Sequence, residues 1–82
     1  MTIKVPGYTT IGGSPGAILK VMQDARVFGK AEGDEYIESI QQTAWRCFGI
    51  KLQVEGNTYE ERAESLLKEM GKNNMIIVEE EE

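Results

Sequence analysis

The sequence predicts an α+β fold: a small single domain with a helical hairpin and a βαβ unit packed on a three- to four-stranded mixed sheet, three helices in all. Three observations carry this. Three amphipathic stretches each open with a residue suited to starting a helix and close on a glycine, at Gly29, Gly49 and Gly71. Two short segments, residues 2–5 and 50–54, alternate apolar and polar side chains with the period of a strand. The run Met75-Ile76-Ile77-Val78 is continuously apolar, as in a strand covered on both faces.

In chain order, Thr2 to Val5 reads as a half-buried strand with Ile3 and Val5 inward. Pro6-Gly7 suits a type II turn or a kinked extended segment, and Tyr8 to Ile11 a second short strand. Gly12-Gly13 releases the chain into a first helix, with Ser14 as its cap and Pro15 at the first helical position, where the missing N–H is harmless. Its stripe is Ile18, Val21, Met22, Ala25 and Phe28, ending at Gly29. A connector over 30–33 is short enough to return the second helix alongside the first. Asp34 is the expected cap of that helix. Ile37, Ile40, Ala44, Cys47 and Phe48 are its inward stripe, and Gly49 is its stop.

Residues 50–54 then place Ile50, Leu52 and Val54 on one face. Thr58 and Glu61 have the spacing of a capping box, and Tyr59, Ala63, Leu66, Leu67 and Met70 form the third stripe, closed by Gly71. A helix between strands 50–54 and 75–79 implies a parallel pair with a right-handed crossover. The domain is taken as 1–78, with 79–82 as an acidic C-terminal tail.

The chain has 82 residues, 14 acidic against 9 basic, for a formal charge of −5. Glu79 to Glu82 hold four of those acids, so the remainder carries 10 acidic against 9 basic residues, or −1. A body so nearly neutral, without a Lys/Arg cluster, argues against direct nucleic-acid binding. No stretch of the sequence is apolar for long enough to span a bilayer, so no membrane partner is expected. One cysteine, Cys47, excludes an intrachain disulfide, and its place on an apolar helix stripe suggests a buried, unreactive thiol in a cytoplasmic protein.

Histidine is absent, which removes the usual general base and every nucleophile that histidine must assist. The acidic groups Glu35/Glu38 and Glu60/Glu61/Glu64 fall on polar helix faces, where paired-carboxylate catalysis is not expected, and Glu79 to Glu82 have no turn to converge them on a metal ion. No catalytic residue, metal ligand or cofactor is assigned.

Two surfaces remain. Trp45, with Tyr36 and Gln41 near it, is the candidate interface, because Trp45 lies close to Arg46 and Phe48, and tryptophan and arginine are favoured anchors at protein contacts. Gly12, Gly13, Ser14 and Gly16 are candidate anion-binding positions, because a Gly-rich turn into a helix N-terminus presents backbone N–H groups to phosphate or carboxylate. The expected function is a non-enzymatic interaction protein that binds another protein or its own copy, as in a homodimer. The alternatives are an acidic regulatory inhibitor of a nucleic-acid-binding protein, of phage or mobile-element type, and a small anion-binding domain using the Gly12–Gly16 turn.

Overall fold

The computed structural model describes residues 1–5, 7, 10–25 and 31–79. Its elements are β1 (Thr2–Lys4), β2 (Thr10–Gly12), α1 (Pro15–Asp24), α2 (Asp34–Phe48), α3 (Tyr59–Lys72) and β3 (Ile77–Glu79). The α+β class and the three helices agree with the sequence.

The sheet is antiparallel throughout its described strands, in the order β2-β1-β3. Ile3 faces Ile11 on one side and Val78 on the other, and this row packs on the core. Lys4, Thr10 and Ile77 form a neighbouring row that looks outward. β1, expected only to join the sheet, takes its centre. The expected central strand over 75–79 shortens to an edge strand, with Ile77 58% exposed.

The βαβ unit does not form. Residues 50–54 alternate in burial, with Leu52 innermost, but they make no strand. They cross α2 and α3 as a strap held by side chains. Gln41 Nε2 donates to the Leu52 carbonyl at 3.0 Å, the Glu55 N–H donates to Ser65 Oγ at 3.0 Å, and Ser65 Oγ donates to the Gln53 carbonyl at 3.4 Å. Backbone groups satisfied in this way need no ladder. Leu52 is buried, and Ile50 and Val54 pack against the core from its margin.

The helices pack differently from a simple hairpin. α1 makes its most extensive contact with α3, and the connecting residues 26–30 lie outside the described set, with them Phe28 and the expected stop at Gly29. Gln23 Oε1 accepts the Gly33 N–H at 3.0 Å, tying the end of α1 to the start of α2. The buried face of α1 is Gly16, Ile18, Leu19 and Met22. Val21 and Ala25, expected inside, are exposed. Gly16 lies against Tyr59 and Glu60 of α3, so α1 is turned until Leu19, one turn beyond Gly16, faces inward.

Helix ends follow local chemistry, with two corrections. Ser14 Oγ accepts the Ala17 N–H at 3.3 Å, and Thr58 Oγ1 accepts the Glu61 N–H at 3.1 Å. Gly49 closes α2 at φ 66°, the left-handed region that glycine enters without a Cβ clash. Gly33, not Asp34, is the N-cap of α2, because the Asp34 carboxylate is drawn instead to Arg62 of α3. Gly71 is helical and does not stop α3. There the helix lies against Val78, and the positive φ falls on Asn74 after the Asn73 side chain has donated to the Glu69 carbonyl at 2.9 Å.

Candidate functional site

The last turn of α2 departs most from expectation. Cys47 and Phe48 continue the period of Ile37, Ile40 and Ala44, which predicts burial. Cys47 is nevertheless exposed, and Phe48 is 59% exposed. A helix of fifteen residues is about 22 Å long, and its core contacts end at Ala44. The stripe keeps its direction while the core beneath it stops. The apolar end of α2 therefore projects past the interior, with Trp45, 63% exposed, beside it.

Next to Trp45 an open groove of about 470 Å³ runs between α2 and the strap, walled by Glu38, Gln41, Gln42, Lys51 and Leu52. The structure thus brings Trp45 and Gln41 together, with the Gln41 amide already committed to the strap carbonyl of Leu52. Tyr36 is elsewhere. It is fully buried and belongs to the core, so it offers no surface to a partner.

At the Gly12–Gly16 turn the chain supplies its own anion. Gly12 is the last residue of β2, and the Gly13 N–H donates to the Met1 carbonyl at 3.0 Å. The Ser14 hydroxyl accepts from Ala17, and the Gly16 N–H donates to Glu60 Oε2 at 3.0 Å. A carboxylate at a helix N-terminus is favoured by the unpaired N–H groups and the helix dipole. An external phosphate would have to displace Glu60. Burial, and then the Asp34 and Glu60 carboxylates, raise the pKa of Tyr59 beside this contact above its ordinary 10.0.

Glu60→Ala is accordingly expected to do two things. It should cost about 1–3 kcal/mol by removing a hydrogen bond to a charged acceptor. It should also leave the α1 N-terminus open, so that the Gly16 amide resonance moves on titration with phosphate. Phosphate shifts of equal size in the parent protein would show that Glu60 does not occupy the position.

Among the described residues no group of three or more Cys, Asp or Glu is arranged to hold a metal ion, and no helix is long and apolar enough to cross a membrane. The Glu60–Gly16 contact joins residues 44 apart, and no local signal announces it. A groove between the C-terminal end of α3 and β3 likewise has no local signal, because it depends on β3 lying at a sheet edge. No family model, no curated protein and no solved structure matches this chain.

Proposed function

We propose that the protein is a non-enzymatic interaction module that binds another protein through the projecting end of α2. One observation carries the reading: Trp45 and Phe48 stand exposed at 63% and 59% on consecutive turns of one helix, beside a groove floored by Leu52. Burying a large aromatic gains about 1.5–3 kcal/mol, and such anchors dominate contact energies. The absence of histidine supports the non-enzymatic side of the reading. Of the acids that the acidic-inhibitor alternative would use, Asp34, Glu35, Glu38 and the C-terminal tail, Asp34 is paired with Arg62. α2 is then left with Glu35 and Glu38 as its outward acids.

The double variant Trp45→Ala/Phe48→Ala tests the proposal. Its unfolding midpoint should stay close to that of the parent, because both side chains are largely in water already. Proteins retained from an extract by the immobilised parent should be lost by about tenfold or more, as for two anchor residues. A retention profile shared by parent and variant would remove α2 as the binding surface.

A further inference from the structure

The exposed face of α2 has a charge pattern that fits one occupant: we propose that two copies of this chain join through antiparallel α2 helices, related by a two-fold axis beside Gln42. This rests on the reading that the end of α2 is a binding surface, and it names what that surface meets.

Glu35, Glu38, Gln42, Trp45 and Arg46 are all exposed, and their spacings of three and four place them on one side of the helix. The two ends of that side carry opposite charge. Glu35 and Glu38 lie toward the N-terminus of α2, and Arg46 lies in its last turn. Lys51 of the strap adds a second cation, lining the same groove as Trp45. Among the described residues, Glu35, Glu38, Arg46 and Lys51 enter no ion pair within the chain.

Charge selects both the occupant and its direction. A face that is acidic at one end and basic at the other is its own complement once turned end to end. Glu38 and Arg46 each lie four residues from Gln42, so a two-fold axis there sets Glu38 of each copy beside Arg46 of the other. The helix dipoles then also run in opposite directions. A parallel pair would set Glu38 against Glu38 and Arg46 against Arg46, and like charges so placed repel. Trp45, three residues past Gln42, enters the other copy's groove of about 470 Å³ near Glu38 and Gln41, over the apolar floor at Leu52. Each copy supplies one ring and one groove, so the contact is isologous and closes as a dimer. Both exposed indoles leave water in a single step, which is the gain that the charges orient.

Sedimentation of the whole chain across a dilution series, at low and physiological salt, tests this. A monomer–dimer equilibrium that weakens with salt is expected, and Trp45→Ala should raise its Kd by about tenfold or more. Glu35→Lys/Glu38→Lys should raise the Kd by about tenfold, and so should Arg46→Glu/Lys51→Glu. Mixing the two charge variants should restore most of the affinity, because each then meets its opposite across the axis. A variant that had failed to fold would not be rescued in this way. A monomer at every concentration overturns the proposal. If Trp45→Ala/Phe48→Ala still loses proteins from an extract in that case, the binding surface stands and its partner is a different protein. A dimer unchanged by either charge variant overturns the antiparallel pairing, as do charge variants that stay apart on mixing. A dimer left intact by Trp45→Ala overturns it too, and counts against α2 as the binding surface as well.

Discussion

Tyr36→Ala is expected to lower the unfolding free energy by about 3–5 kcal/mol, the range for deleting a large buried aromatic. Tyr36 is fully buried and heads the largest enclosed side chains, in one cluster with Ile3, Leu19, Met22, Leu66 and Met70. Its removal leaves a void that a close-packed interior cannot fully collapse to fill. A domain of this size holds only about 5–15 kcal/mol in total, so the variant should be marginally folded at room temperature. Urea titration of dilute protein, followed by far-UV circular dichroism, measures this. Tyr36→Phe should recover most of the loss by refilling the space. A loss under about 1 kcal/mol for the alanine variant would return Tyr36 to the surface. A midpoint that rises with protein concentration only in the parent would do the same.

How far this structure is legible in the sequence depends on the distance over which each signal acts. The stripes of α2 and α3 are read correctly at Ile37, Ile40, Ala44, Ala63, Leu66, Leu67 and Met70, because helical period is a property of the segment itself. The Ser14 and Thr58 caps and the Gly49 ending are read for the same reason. Period gives direction, however, and not how far the core extends. Cys47 and Phe48 point where they should and find nothing beneath them. α1 shows a related ambiguity. It is apolar around much of its surface, so Val21 and Leu19 compete for the interior, and the choice falls to the close packing of Gly16 on α3. Alternation over 50–54 correctly turns Ile50, Leu52 and Val54 toward the core. That segment joins no sheet, and its backbone groups are met instead by Gln41 and Ser65, which reach it from α2 and α3.

The candidate sites divide in the same way. Trp45 is legible as a flank residue because its helical position is local information. Tyr36 is not, since the stripe read from Ile37 and Ile40 leaves it on the margin although α2 presents it to the interior. The Gly12–Gly16 turn reads as attractive to a carboxylate or phosphate, and the structure sets one carboxylate against its Gly16 N–H. The occupant comes from α3, and only the tertiary fold brings Glu60 to it. Helix direction and strand order likewise set the β3 groove beside Lys72, from residues whose local patterns carry no mark of it.

Gly56→Ala should rival Tyr36→Ala in cost, through a different mechanism. Gly56 has φ 136°, far from any conformation that alanine adopts comfortably. A Cβ there would also lie 2.6 Å from Glu61 Cβ and 3.0 Å from the Arg62 nitrogen. Neither neighbour can yield easily, because both are held in the first turns of α3. That turn fixes Asn57 through Glu61 Oε2 at 3.0 Å and carries the Arg62 that holds Asp34. Backbone strain and overpacking each cost about 1–3 kcal/mol, and here they act together. Gly49→Ala provides the comparison, since its φ of 66° is also positive but nothing lies within 4 Å of the added carbon. It should lose about 1–2 kcal/mol from conformation alone. Chemical denaturation of the two variants side by side separates the terms. A larger loss at Gly56 assigns the excess to the contact between the strap and the start of α3. Equal losses would mean that the strap moves freely away from α3, and that the Ser65 and Gln41 hydrogen bonds do not fix its position.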